Sequence, residues 1–121
     1  MAYDRNNVFA RILRGEIPCD KVYEDEHVLA FRDINPLTPT HILVIPKGEY
    51  VSLDDFSANA SAAEHSAIFR ALGQIAGEQG VAESGHRIIA NSGGDGHQEV
   101  PHFHVHVLGG SDVGPMLRRP R

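Results

Sequence analysis

Residues 102 to 106 read His-Phe-His-Val-His, and four of the eight histidines of the chain fall between His97 and His106. A β-strand sends successive side chains to opposite faces. Read as a strand, this run places His102, His104 and His106 on one face, and Phe103, Val105 and Val107 on the other. The odd-numbered set is apolar and can be buried; the even-numbered set is a row of imidazoles turned toward something polar. Imidazole has the unperturbed pKa nearest neutrality, so it can serve as nucleophile, base or acid near pH 7. Rings about 7 Å apart along such a strand can divide these tasks. Transfer of a phosphoryl group without a metal needs such a division: a nucleophile in line with the leaving group, and donors that neutralise the non-bridging oxygens.

The elements that must position the row can be read from the surrounding sequence. Asn7 can cap a short helix carrying Val8, Phe9, Ile12 and Leu13, stopped by Gly15 and Pro18. Lys21 to Glu24 and His27 to Asp33 read as two strands around Glu24-Asp25-Glu26. Asn35-Pro36-Leu37-Thr38-Pro39 reads as a loop, because two prolines forbid regular structure there. His41-Ile42-Leu43-Val44-Ile45 is a continuous apolar run, as expected of a central strand covered on both faces. Ser61 and Glu64 form a capping-box pattern ahead of a second helix with Ile68, Phe69, Leu72, Ile75 and Ala76 at helical spacing, ended near Gly80. Gly73 and Gly77, one turn apart within it, could let another element approach closely. His86 to Asn91 is a strand, and Ser92 to His97 turn the chain back into the histidine row. The order implies an α+β domain with a five-stranded antiparallel sheet and two helices.

At 121 residues the chain has the length of a single domain, 1–121, with a core over about 7–110 and a tail over 111–121. Its net charge of −5 and pI near 5.8 oppose a nucleic-acid-binding face, which would be basic. The arginines of the tail Leu117-Arg118-Arg119-Pro120-Arg121 read as a solvated end. Cys19, the sole cysteine, can form no intrachain disulfide, which fits a reducing, cytoplasmic setting. No apolar stretch has the length of a signal peptide or a membrane span, so no membrane partner is expected.

The pattern His-φ-His-φ-His-φ-φ over 102–108 resembles the signature of the histidine triad superfamily. The chain is similar to its Hint branch, the histidine triad nucleotide-binding proteins and purine nucleoside phosphoramidases. The similarity runs through Val8-Phe9, Glu16-Ile17-Pro18, Ala30 to Ile34, Pro39 to Pro46, Gln98-Glu99-Val100 and His106 to Gly110. Gly114-Pro115-Met116-Leu117 is of the bacterial type. The resemblance implies a homodimer whose sheets join across the two-fold axis, a purine nucleotide substrate such as an AMP or GMP conjugate, and no metal or other cofactor.

By the same resemblance, His104 attacks the α-phosphorus to give a nucleotidyl-imidazole that water then hydrolyses. His106 would donate to phosphate oxygens or assist the leaving amine, and His102 would sit behind, held by His41. Asp33 would accept bonds from ribose hydroxyls. Phe9, Ile12, Phe31, Ile34 and Leu43 would line the purine cleft, and Asn91, His97, Gln98 and Glu99 would meet phosphate and ribose. Three positions depart from the family pattern: His97 where glycine is common, Glu99 where animal members carry a hydroxyl, and Pro101 in place of an aromatic residue. Four rival readings remain. They are a zinc site built on two of the histidines, a dinucleoside polyphosphate hydrolase, a non-catalytic nucleotide-binding module, and a nucleotidyl transferase, whose third triad position is usually Gln.

Overall fold

The computed structural model describes residues 2–117; the arginines at 118, 119 and 121 lie outside the described residues. Helix α1 (Val8–Leu13) is capped by Asn7, whose side chain accepts from the Ala10 amide. Strands β1 (Lys21–Glu24), β2 (Val28–Arg32) and β3 (Thr40–Pro46) follow. Helices α2 (Leu53–Asn59), α3 (Ala62–Glu78) and α4 (Val81–Ser84) separate them from β4 (His86–Ile89) and β5 (Val105–Gly109). The five strands form one antiparallel sheet in the order β1-β2-β3-β5-β4.

Four helices, where two were expected, is a correction with a physical cause. α2 and α4 are seven and four residues long, and each buries a single side chain, Phe56 and Val81. Neither is long enough to show a helical period. α3 begins at the expected capping box, with Ser61 Oγ accepting from the Glu64 amide and Glu64 Oε1 accepting from the Ser61 amide. Such a cap contributes about 1 kcal/mol. Gly80 follows the helix at φ 74°, left-handed backbone that glycine adopts without cost. Phe69, expected on the buried side of α3, is instead 69% exposed. A Cβ placed on Gly73 or Gly77 would meet nothing within 4 Å, so among the described residues no element uses that pair for close approach.

The sheet is covered on both faces, and the parity of each strand assigns its residues. Val28, Ala30, Ile42, Val44, Phe103, Val105 and Val107 pack with Phe56, Ile68, Leu72 and Ile75 of α2 and α3. Leu29, Phe31, Leu43 and Ile45 pack with Phe9 of α1 on the other face. Every residue of β3 is buried, as its unbroken apolar run requires. Full burial of Ile42 and Ile45 stabilises the fold by about 1.5 to 3 kcal/mol each. Among the described residues, no helix is long and apolar enough to cross a membrane.

Candidate active site

The second face, the one beneath α1, carries the histidines. Phe103, Val105 and Val107 enter the α2/α3 core, which turns His102, His104 and His106 to the α1 side. The expected alternation therefore holds, although the ladder does not reach as far: β5 starts at Val105, so His102 and His104 precede the strand. Other bonds hold that stretch. The His102 amide donates to Val100 O at 2.8 Å, and the Phe103 amide donates to Tyr50 O at 2.8 Å. The row also faces less solvent than its polarity suggests. His102 is 0% exposed, His104 is 6% exposed, and only His106 is half-buried.

The imidazoles gather rather than stand in a spaced row. The ring centroids of His104 and His106 are 5.2 Å apart, closer than the strand repeat implies, and His41 and His106 are also 5.2 Å apart. The ring of Phe9 stands edge-on to His104 at 5.0 Å. His41 does not support His102, contrary to expectation. Its Nε2 lies 2.9 Å from His106 Nδ1. The register explains this: β3 pairs with β5 so that Leu43 faces His106 and His41 faces Leu108, which puts His41 beside the outer member of the row. His102 is held instead by Pro46 O, 2.8 Å from Nε2, and by Tyr3 Oη, 2.6 Å from Nδ1.

These partners fix the tautomers, because a carbonyl can only accept and an amide can only donate. Pro46 O requires a proton on His102 Nε2, so Nδ1 accepts from the Tyr3 hydroxyl. His102 O, 2.7 Å from His104 Nδ1, requires a proton there and leaves the His104 Nε2 lone pair free. The Leu37 amide donates to His41 Nδ1 at 3.1 Å, so His41 Nε2–H donates to His106 Nδ1. His106 consequently carries its own proton on Nε2. The site thus presents an unprotonated ring nitrogen on His104 beside an N–H donor on His106.

Burial keeps the rings neutral. It pushes His102 and His106 down to about 4, the latter helped by His104 and His41. His104 and His41 are also held below the usual imidazole range by burial; the Asp33 carboxylate opposes the shift in both, and Glu99 opposes it in His104. Near pH 7 all four are unprotonated beyond their single N–H.

The structure brings some of the other expected residues to this face. Phe9, Phe31 and Leu43 are buried together, and Ile12 packs partly buried against them. Asp33 lies just past β2. Its Oδ1 accepts from the Asn35 amide, and its Oδ2 lies 3.5 Å from His41 Nε2. Asn91 is half-buried beyond the end of β4, while His97 and Glu99 are exposed. Two residues stand in surroundings other than those expected. Ile34 is 92% exposed and belongs to no apolar cluster, because it occupies the loop after β2 rather than the strand itself. Gln98 spends its side chain on backbone: Nε2 donates to Val51 O and Val100 O, and Oε1 accepts from the Gly93 amide. Its side-chain amide therefore braces the loop. His97 holds φ 60°, the left-handed conformation that explains why glycine suits this position.

Tyr3 is the partner that sequence reasoning missed. It stands 99 residues from His102, and no periodicity or motif links the two. Asp33, His41 and His106 form a group able to hold a metal ion, with one ligand atom from each within 4.8 Å of the others. That set differs from the zinc site considered from sequence, which took two of the triad histidines and a third ligand from elsewhere, since only His106 belongs to the triad. A cavity of about 530 Å³ beside α1 and β1 is lined by none of the histidines, although it shares Ile12 and Leu29 with the apolar side of the site.

Comparison with known proteins agrees with this arrangement. The HIT domain family matches residues 14–113. An uncharacterised 13.2 kDa HIT-like protein of Azospirillum brasilense is 63% identical over 117 residues, 97% of this chain and 96% of that protein. The purine nucleoside phosphoramidase of Escherichia coli K12 is 48% identical over 110 residues, covering 91% of this chain and 92% of that enzyme. A solved HIT family hydrolase from Clostridium thermocellum superposes with a TM-score of 0.86 at 40% identity, over 95% of this chain and 99% of the other.

Proposed function

Since the chain belongs to the HIT domain family, we propose that it hydrolyses the P–N bond of purine nucleoside 5′-phosphoramidates, and the acyl–phosphate P–O bond of aminoacyl-adenylate-like conjugates, through a nucleotidyl-histidine at His104. The observation that carries the reading is the free Nε2 lone pair of His104, enforced by the bond from its Nδ1–H to His102 O and set beside the Nε2–H of His106. His104 Nε2 attacks the α-phosphorus, forming a P–N bond as the bond to the substrate amine breaks. The departing nitrogen takes a proton from solvent and leaves as the neutral amine. Water then attacks the same phosphorus, His104 leaves unprotonated at Nε2, and a proton returns to solvent. His106 Nε2–H donates to a non-bridging oxygen, whose charge grows in both steps. Phe9, Phe31, Leu43 and Ile12 supply an apolar wall for the purine, and Asp33 accepts from the ribose hydroxyls. Asn91, His97 and Glu99 border the phosphate. The amide bonds of Gln98 maintain the loop they stand on.

Turnover of adenosine 5′-phosphoramidate in the presence of a chelator tests the reading, and a diadenosine polyphosphate should turn over more slowly. Rapid acid-free quenching should trap the nucleotide on His104, and His104→Ala should lose several orders of magnitude in turnover while still binding AMP. An adduct on another residue, or near-normal turnover of His104→Ala, refutes it. A second reading, a nucleotide module that holds a divalent ion, is favoured by Asp33, His41 and His106. Stoichiometric zinc retained through dialysis and lost in Asp33→Ala would support that reading.

We further infer a homodimer joined along β4. This strand is a sheet edge, and it carries Ile88, 47% exposed, beside Phe69 and Leu53 on an apolar groove of about 350 Å³. An apolar strand edge left open invites pairing. A cytoplasmic setting and the absence of nucleic-acid or membrane partners fit the net charge of −5.

A further inference from the structure

The nucleophile is aimed by a carbonyl that lies outside the sheet. His104 Nδ1–H donates to His102 O, yet residues 102–104 precede β5 and have no ladder to fix them. The peptide that carries His102 O is pinned at its N–H end, where the Phe103 amide donates to Tyr50 O at 2.8 Å; what fixes the rest of residue 102, besides its own amide bond, is its ring, wedged between two partners far apart in sequence. Pro46 O, at the end of β3, accepts from Nε2–H at 2.8 Å. Tyr3, which precedes α1, reaches Nδ1 at 2.6 Å, with the two rings edge to face at 5.6 Å. The ring is fully buried, so Nδ1 has no access to water. Without the hydroxyl its lone pair is a buried acceptor with no donor, a state that proteins avoid by rotating the side chain or admitting water. Either response pulls on residue 102, and only the bond from the Phe103 amide to Tyr50 O then resists a turn of the peptide that orients His104.

We propose that Tyr3 is a positioning residue for His104: its hydroxyl locks the buried His102 ring, and through the carbonyl of that residue it holds the nucleophile in one tautomer and one direction. The proposal rests on the reading of His104 as nucleophile, but its structural half can be tested apart from activity. Tyr3→Phe keeps the aromatic contact with His102 and removes only the donor.

The test is ring-nitrogen NMR on protein labelled with ¹⁵N histidine, together with steady-state kinetics on adenosine 5′-phosphoramidate. In the wild type, His102 should be protonated at Nε2 with Nδ1 accepting, and His104 should be a single Nδ1–H tautomer. A wild-type His102 protonated at Nδ1 overturns the proposal with no substitution needed. In Tyr3→Phe, the His102 Nδ1 signal should move and His104 should become a mixture of tautomers. The kcat should then fall about tenfold with KM within about twofold, the pattern of a misaligned but still occupied site. His104 ring signals unchanged in Tyr3→Phe, or an unchanged kcat, overturn the link. If the wild type turns over no phosphoramidate, the proposed activity falls while the ring spectra still decide whether Tyr3 governs His104.

Discussion

Acid should destabilise this protein in a pH window set by its buried imidazoles, and His102 allows the size of the effect to be worked out. The folded state holds the His102 ring neutral down to about 4, against an ordinary value of 6.5, because burial disfavours the charged form. Between those two values the unfolded chain binds a proton that the folded chain refuses, so stability is full above about pH 6.5 and falls as the pH drops toward 4. At about 1.4 kcal/mol per pH unit across that gap, the loss reaches about 3 kcal/mol at low pH, with about 2 kcal/mol already gone at pH 5. The ring is 0% exposed, so solvent screening does not reduce the figure. His106 adds a loss of the same sign. Carboxylates held low by their partners, such as Glu24 at about 2 between Lys21 and Lys47, act mainly below this window. Urea unfolding at pH 7.5 and pH 5, at one protein concentration, separates the contributions when wild type is compared with His102→Gln. The variant starts less stable, because Tyr3 and Pro46 lose a shaped partner, yet its loss between the two pH values should be about 2 kcal/mol smaller. Equal losses in the two proteins would show that His102 does not titrate as its burial requires, and the reasoning would fail.

Asp33→Ala should weaken AMP binding by about 1.5 to 3 kcal/mol and weaken 2′-deoxy-AMP less, measured by calorimetry; equal losses would remove Asp33 from the ribose. His97→Gly should raise stability by about 0.5 to 1 kcal/mol in urea melts, since it relieves a left-handed backbone at an exposed side chain. If the proposed β4 dimer forms, Ile88→Lys should give a monomer in light scattering at micromolar concentration where the wild type gives a dimer, and a monomeric wild type would refute the interface.

Parity was legible in the sequence, and distance was not. The alternation at 102–107 already separated imidazoles from core, and the caps at Asn7 and Ser61 located α1 and α3 because each rests on contacts within a few residues. The partner of His41 was misread, since it depends on how β3 registers against β5 across more than sixty residues, which no local pattern encodes. Ile34 and Gln98 were assigned by resemblance alone, and their surroundings differ: one points from a loop, and the other is consumed by Val51, Gly93 and Val100. The full burial of His102 escaped for the same reason as Tyr3, whose approach is a matter of tertiary packing.

The two-sided sheet also governs how this protein can change. Along 103–107, packing against α2 and α3 falls to Phe103, Val105 and Val107, while His104 and His106 face the site. Neighbouring positions therefore answer to different demands, one set to packing and the other to the site. A saturation scan scored separately for abundance and for turnover should alternate with a period of two, losing folded protein at odd positions and activity at even ones. The chemistry of this face can then drift toward new leaving groups by substitutions at even positions and in the surrounding loops, without eroding the core that carries it.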